Sequence, residues 1–217
     1  MSLTEQLDHQ ASDHWAFGPT PDVFTEFYRD TVSLSCWQRD LDLELNACVQ
    51  NLLNSGRTLA IKEAGSPFAL YQSILGACKA VQPLADDIHW LLDMYCCLFD
   101  CRNVGLRLST LDAAMCPRFH VDRVPVRLVT TYGGPGSEWL SNHCADRTRL
   151  GAGAKGLSDA ESGLMQSDAD VQQLAEGEVA LFKGELWENN EGRGLIHRSP
   201  ALAAGERRLL VTFDVVS

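Results

Sequence analysis

The chain has 217 residues, of which 45% are hydrophobic, and a formal net charge of −11. It is long enough to bury a full core in one domain, and its acidity excludes a nucleic-acid backbone as main partner, because phosphate binding needs clustered Lys and Arg. The N-terminus lacks a signal-peptide pattern and no apolar run reaches membrane-spanning length, so a cytoplasmic location without membrane contact is expected. The eight cysteines are then expected to be reduced thiols.

Helical periodicity dominates the first hundred residues. A polar arm is predicted over residues 1–20, ending where the Gly and Pro residues at 18, 19 and 21 break regular structure. Apolar residues at helical spacing predict helices, and alternating apolar residues predict strands. The predicted helices cover residues 22–29, 40–54, 68–81 and 83–101, and the predicted strands cover residues 31–38 and 57–62.

The pattern changes from helical to alternating near residue 103. Strands are predicted over residues 104–110, 116–122, 126–132, 178–183, 194–197 and 207–216. Residues 145–176 are rich in Gly, Ala and Asp and predict a surface excursion; the glycines at 151, 153 and 156 lack the Lys-Ser/Thr ending of a phosphate loop. The order of elements indicates an α+β protein, with a mainly helical region (1–103) packed on a β-sandwich or barrel (104–217) in one integrated domain.

A His-x-Asp pair, His120 and Asp122, lies in the strand predicted over 116–122. Because side chains alternate along a strand, both would lie on one face and could bind one metal ion. His197, at the end of a later apolar run, is the best candidate for a third ligand. Two His and one Asp form a facial triad that leaves three positions of an octahedral iron open, which favours oxygenase chemistry over a closed structural site.

Simpler roles for the same residues stay open. His120 and Asp122 could be a hydrogen-bonded pair at a strand end, and His197 could cap the turn before Ser199 and Pro200. A degenerate barrel could also serve only as an interaction scaffold.

A basic pair, Arg207 and Arg208, follows the distal His. Neighbours on a strand face opposite ways, so one of the two is expected to be exposed. On a strand, Arg207 would lie on the same face as Leu209, Val211 and Phe213, and these apolar residues are expected to face the interior of the barrel. We therefore predict that Arg207, or failing it Arg208, faces the interior, where a guanidinium could bind a carboxylate through two hydrogen bonds.

Residues 104–217 resemble the double-stranded β-helix, a cupin-like jelly roll, of the iron(II)/2-oxoglutarate dioxygenases. The resemblance is carried by the run from Gly177 to Phe182, by His197, and by the run from Gly205 to Phe213; the strand from Arg127 to Tyr132 is similar to the one that lines the co-substrate pocket. It implies iron(II) and 2-oxoglutarate as cofactors, with catalysis and metal binding by His120, Asp122 and His197. The co-substrate would contact Arg207 or Arg208, Tyr132 and Arg127, although Tyr132 is equally well explained as a core aromatic.

Three further segments identify the chain as a member of a bacterial family of unknown function: Cys-Pro-Arg-Phe-His-Val-Asp-Arg, Tyr-Gly-Gly-Pro-Gly-Ser-Glu-Trp-Leu and Ile-His-Arg-Ser-Pro. That family occurs in metal-homeostasis gene settings. The resemblance therefore leaves open a non-catalytic protein that binds zinc or iron. For an enzyme, the substrate could be a small molecule or a protein side chain.

Other polar residues offer weaker candidates. Cys97 and Cys101 are one helical turn apart and, with Cys96, suggest zinc, but the set lacks a C-x-x-C pair and a core position explains these thiols more simply. Cys116 shares parity with His120 if the strand is unbroken. Possible substrate contacts are Arg118, Arg123, Trp139, Trp187 and Asn189.

Overall fold

Helices, a large sheet and a small sheet form successive layers in the computed structural model, which describes residues 14–77 and 81–216. The helices are α1 (Leu43–Asn54), α2 (Pro67–Ala77) and α3 (Gln82–Phe99), with short 3-10 helices at Pro21–Tyr28, Asn142–Cys144, Arg147–Arg149, Gly151–Ala154 and Asp168–Asp170. The strands are β1 (Trp15–Gly18), β2 (Leu34–Trp37), β3 (Ala60–Gly65), β4 (Val104–Leu111), β5 (Val126–Gly133), β6 (Glu138–Leu140), β7 (Gln172–Gln173), β8 (Val179–Lys183), β9 (Ile196–Arg198) and β10 (Arg208–Val215).

Local signals explain where the helices begin and end. The Asp42 carboxylate accepts a hydrogen bond from the Leu45 amide at 2.8 Å and caps α1. Pro67 opens α2 and a proline lies in the first turn of α3, where a missing N–H costs nothing. α3 ends at Asp100, which adopts a left-handed conformation with φ of 46°.

The large sheet has the strand order β1-β2-β8-β5-β10-β4-β3, and the small sheet has the order β7-β6-β9. Neighbours are antiparallel except β1 and β2, which are parallel. The architecture is thus mixed α and β, and within the described residues the two sheets do not join into a closed barrel. Three of the seven strands of the large sheet come from residues before 104, so the two predicted regions share one sheet.

Both faces of the large sheet are buried. Leu209, Val211 and Phe213 of β10 pack in the core that contains the helices. Leu210 and the β5 residue Val129 pack on the opposite face, against Trp139 of the small sheet. This double burial explains why the apolar residues of β10 do not identify the face that carries the site.

Several predicted elements need correction. Residues 15–18 of the predicted arm form the edge strand β1, and residues 21–28 form a 3-10 helix. The region 116–122 is not a strand; its only ladder contact in the described chain is an isolated bridge between His120 and His197. The first thirteen residues of the arm, and residues 78–80 with Cys78, lie outside the described part of the chain.

The segment 145–176 covers the outer face of the small sheet, so it is partly built into the fold. A third cluster of buried apolar side chains joins this segment to β6 and β9: Phe119, Leu140, Leu164, Met165 and Ile196. Within the described residues, no helix combines the length and apolarity needed to cross a membrane.

Candidate metal centre

Three side chains from different parts of the chain converge at one point. The donor atoms of His120, Asp122 and His197 all lie within 4.8 Å of one another. The Nε2 atom of His197 is 3.2 Å from Asp122 Oδ2, and the Nε2 atom of His120 is 3.8 Å from Asp122 Oδ1. The structure therefore brings the three predicted ligands together, with two nitrogen donors and one oxygen donor.

A pair of backbone hydrogen bonds holds the two histidines side by side. The amide of each donates to the carbonyl of the other at 3.0 Å, and the ring centroids of His120 and His197 are 4.5 Å apart. The backbone carbonyl of Asp122 accepts a hydrogen bond from the Glu185 amide at 3.0 Å. Gly184 allows this close approach, because a Cβ there would meet the Val124 carbonyl oxygen at 2.0 Å.

Each imidazole is oriented by a backbone carbonyl. The Nδ1 atom of His120 lies 2.9 Å from the Arg118 carbonyl oxygen, and Nδ1 of His197 lies 3.1 Å from that of Leu195. A carbonyl only accepts, so Nδ1 must carry the proton in both rings, which leaves Nε2 to face the cluster as a ligand. Burial, and then the proximity of His197, lowers the pKa of His120, which favours the neutral form that binds metal.

Arg127 holds the carboxylate of the cluster. Its Nη1 atom donates to Asp122 Oδ2 at 2.7 Å, and its other nitrogens donate to the two oxygens of Asp214 at 2.7 and 2.8 Å. Burial alone would raise the pKa of Asp122, but its contact with His197, and then the charge of Arg127, lower it to about 2. Asp122 is therefore an ionised donor at neutral pH.

A cavity of about 60 Å³ adjoins the cluster. His120 and His197 line one wall, and Leu210, Thr212 and Ser137 line others. Cys116, which is exposed, also lines this cavity, but the strand that would have placed it on the same face as His120 is not present.

Behind Ser137 lies the buried guanidinium of Arg208. Its Nη2 atom donates to the hydroxyls of Ser137 and Thr131 at 2.8 and 2.9 Å, while Nη1 has no partner among the described residues. Burial lowers the pKa of Arg208 to about 10, so the group remains charged at neutral pH. It forms no salt bridge with a described carboxylate, although the charge of Glu138 acts on it. Such a cation is unfavourable unless an anion reaches it.

A tight turn positions Ser137. A Cβ on Gly136 would lie 2.0 Å from the Leu174 carbonyl oxygen, so only glycine allows the turn to pack against the segment before β8. The Leu174 amide then donates to the Ser137 carbonyl at 3.0 Å. The roles of Ser137 and Thr131 beside Arg208 were missed in the sequence; the usable signal was Thr131, a polar residue in a strand otherwise fit for burial.

Three of the predicted co-substrate residues are placed differently from the expectation. Arg207 points away from the cavity and donates to the carbonyls of Leu53 and Arg57, each at 2.6 Å. Arg208 is the inward arginine, so the first choice was wrong and the stated alternative holds. Arg127 is occupied by two carboxylates and has a positioning role toward Asp122.

Tyr132 lies on the helix side of the sheet, which is incompatible with a contact to a ligand at the cluster. Its hydroxyl donates to Asp87 on α3. The Asp87 carboxylate also accepts two hydrogen bonds from Arg39, at 2.7 and 2.8 Å. Tyr132 therefore belongs to a buried network that fastens α3 to the sheet.

Cys96, Cys97 and Cys101 do not have the arrangement of a zinc site. Cys96 and Cys101 have their sulfur atoms 3.7 Å apart near the end of α3, and Cys97 is exposed. Among the described residues, only the set His120, Asp122 and His197 has the spacing of a metal group.

The five possible substrate contacts are scattered. Trp187 packs on Phe27 at 4.9 Å on the helix side, and Asn189 occupies a turn with φ of 58°. Trp139 is buried between the sheets. Arg118 and Arg123 are exposed; Arg118 lies two positions before His120, and Arg123 directly follows Asp122.

A family model described as protein of unknown function (DUF1826) matches residues 18–214. The chain belongs to this family. No curated protein matches it. Among solved structures, it is similar to the dioxygenase for auxin oxidation 1 from Arabidopsis thaliana in complex with 2-oxoglutarate, with a TM-score of 0.53 and 10% identity over 98% of this chain and 87% of that one. The dioxygenase for auxin oxidation in rice gives a TM-score of 0.53 and 11% identity over 94% and 83%. At such identities the likeness concerns the fold alone.

Proposed function

We propose that this DUF1826 protein is an oxygenase that uses iron(II) and 2-oxoglutarate. The observation that carries the proposal is that the two histidines of the His-Asp-His donor set line a small cavity together with Ser137, and that Ser137 accepts a hydrogen bond from a buried guanidinium that has no carboxylate partner among the described residues. A metal carrier has no use for the second feature. Support also comes from the fold, which is similar to that of the two dioxygenases for auxin oxidation, one of them in complex with 2-oxoglutarate.

The donor set fits iron(II). His120 and His197 would hold it through Nε2 and Asp122 through a carboxylate oxygen, and the three ligands leave further positions for a co-substrate. The hydrogen bonds from Nδ1 to backbone carbonyls keep both rings in the required tautomer. Arg127 keeps Asp122 in place and ionised, so the ligand set is preorganised before the ion arrives.

The remaining residues fit an elongated dianion. Arg208, with the hydroxyls of Thr131 and Ser137, would bind the carboxylate of 2-oxoglutarate that lies far from the metal, and the free Nη1 supplies the missing donor. Phe182 packs on His197 with ring centroids 4.9 Å apart and keeps water from that side. When bound, iron(II) and 2-oxoglutarate supply the oxidising chemistry: one O₂ gives succinate, carbon dioxide and a hydroxylated substrate.

The test begins with protein purified without added metal or chelator. Its metal content is measured, and the iron(II)-loaded protein is titrated with 2-oxoglutarate in the absence of oxygen. Oxygen is then admitted, and succinate is measured without an added substrate. We expect binding and slow succinate formation, both lost in His197→Ala.

A protein that retains zinc or iron but neither binds 2-oxoglutarate nor forms succinate would instead support the metal-binding alternative. A matched control is His89→Ala, which removes a histidine on α3 that belongs neither to the donor set nor to the cavity beside it. Equal losses in both variants would contradict the assignment of the ligands.

A further inference from the structure

A second and larger cavity lies at the edge where the two sheets meet, away from the metal ligands. It measures about 480 Å³, which is within the range of small-molecule sites. One wall is the edge strand β1, one is β6 and the turn after it, and one is the segment around β7. We call it the aromatic cleft, after four of its lining residues: Trp15, Phe17, Trp139 and His143.

The rings of the aromatic cleft are packed closely enough to present a shared surface. The Trp15 and Trp139 centroids are 5.3 Å apart in an edge-to-face arrangement, and His143 lies 6.2 Å from Trp15. Phe17 lies 6.4 Å from Trp139 and is 39% exposed, so its ring remains available to a ligand. The faces of such rings carry negative potential and attract cations.

The charged side chains that line the cleft are also negative. Glu178 is only 9% exposed, and Asp170 is a second acidic residue that lines the cleft. One oxygen of Glu178 accepts from the Ala175 amide at 2.8 Å, but no cationic side chain of the described chain lies within ion-pairing distance of this carboxylate. Of the described residues that line the cleft, none is Lys or Arg. A buried carboxylate without a counter-charge is costly, and a bound cation would remove that cost.

We propose that the aromatic cleft binds a small organic cation that carries a methylated ammonium group. The rings supply cation–π contacts to the methyl-covered charge, and Glu178 and Asp170 neutralise it. An inorganic cation would be too small and too strongly hydrated to use the rings, whereas a neutral molecule of the same shape would gain nothing from the two carboxylates.

The proposed site is separate from the metal centre but is connected to it through a pair of hydrogen-bonded strands. Trp139 on β6 is the antiparallel partner of His197 on β9, so the two sites share one pair of strands. Binding in the cleft needs neither metal nor 2-oxoglutarate, and it can therefore be tested independently of the proposed oxygenase activity.

The experiment uses choline as probe and 3,3-dimethylbutan-1-ol as its uncharged isostere. Both are titrated into the full-length, metal-free protein by calorimetry, and the fluorescence of the cleft tryptophans is followed in parallel. We expect choline to bind about tenfold or more tightly than the alcohol, because only choline gains the cation–π and carboxylate terms. Addition of salt should weaken choline binding and leave the alcohol unaffected.

Two variants locate the binding site. Glu178→Gln keeps the hydrogen bond to Ala175 and removes the charge, and Phe17→Leu removes an exposed ring; each is expected to weaken choline binding about fivefold or more. The matched control is Asp168→Asn, a change in the same short helix as Asp170 but outside the cleft.

Three results of the choline titrations would overturn the proposal. These are no measurable choline binding, equal affinity for choline and its neutral isostere, or a loss in Asp168→Asn as large as that in Glu178→Gln. Tighter binding of a neutral planar ring such as indole would also overturn it, because the cleft would then be a stacking site and its carboxylates would play no part. Thermal unfolding of each variant separates a lost contact from a lost fold.

Discussion

Replacement of Arg208 by Leu tests the link between the metal centre and an anionic co-substrate. Arg208 already donates to Thr131 and Ser137, and its Nη1 atom is free. A hydrogen bond to a charged group contributes about 1.5 to 3 kcal/mol, and each 1.4 kcal/mol is tenfold in affinity, so the variant should bind 2-oxoglutarate about 10- to 150-fold more weakly. Metal affinity should be nearly unchanged, because Arg208 is not among the metal-donor residues.

The assay is calorimetric titration of 2-oxoglutarate into protein loaded with manganese(II), which avoids oxidation. Arg207→Leu is a matched control, since this neighbour has the same side chain but binds the carbonyls of Leu53 and Arg57 outside the cavity. Arg208→Lys keeps a positive charge without the forked geometry of a guanidinium. Its affinity for 2-oxoglutarate should lie between those of Arg208→Leu and Arg207→Leu.

The proposed role of Arg208 is refuted if Arg208→Leu binds 2-oxoglutarate as tightly as the unchanged protein, or if Arg207→Leu loses as much affinity. A metal titration and a thermal unfolding curve for each variant show whether a weaker signal reflects a damaged fold. If Arg208→Leu alone fails to fold, the comparison of Arg208→Lys with Arg207→Leu still decides the question.

Three further changes have defined outcomes. Arg127→Met should weaken metal binding about 10- to 100-fold, because Asp122 loses the partner that orients it; competition with a chromogenic chelator measures this, and unchanged affinity would contradict the positioning role. Tyr132→Phe should lower the free energy of unfolding by about 1 to 3 kcal/mol by leaving Asp87 short of one donor, while 2-oxoglutarate affinity stays the same. Burial lowers the pKa of Lys183 from 10.5 to about 8, so between these pH values the unfolded chain binds more protons than the folded one, and the stability contributed by this group rises with pH. Denaturant unfolding at pH 7.5 and 9 should show a change in stability that is more positive in the unchanged protein than in Lys183→Met; equal changes would show that Lys183 is not the group responsible.

The sequence alone was sufficient for features that depend on local periodicity and on residue chemistry. The periodic runs placed α1 and α3 within a few residues of their observed limits, and alternation located β4, β5 and β10. Residue chemistry also predicted His120, Asp122 and His197 as metal ligands. Few residue types bind iron, and the order of these three along the chain resembles that in the iron(II)/2-oxoglutarate dioxygenases. Membership of a family of unknown function is confirmed by the family model.

The tertiary structure decided which way side chains face. Apolarity suggested that Leu209, Val211 and Phe213 mark the inside of a barrel, and this placed Arg207 there. The large sheet is buried on both faces. Its more apolar face packs against the helices and includes Tyr132, whereas the opposite face carries Arg208 and lies beside the candidate metal centre. No periodicity in a single strand contains that information.

Long-range pairing was equally inaccessible. His120 and Asp122 were predicted to share a strand face, yet they lie outside any strand, and it is the bridge to His197, 77 positions later, that brings the three side chains together. The aromatic cleft draws Trp15, Trp139, Asp170 and Glu178 from four separated segments. Residue chemistry thus determined which groups could act, whereas their meeting depends on contacts between distant segments, whose register is set by the packing of the whole sheet.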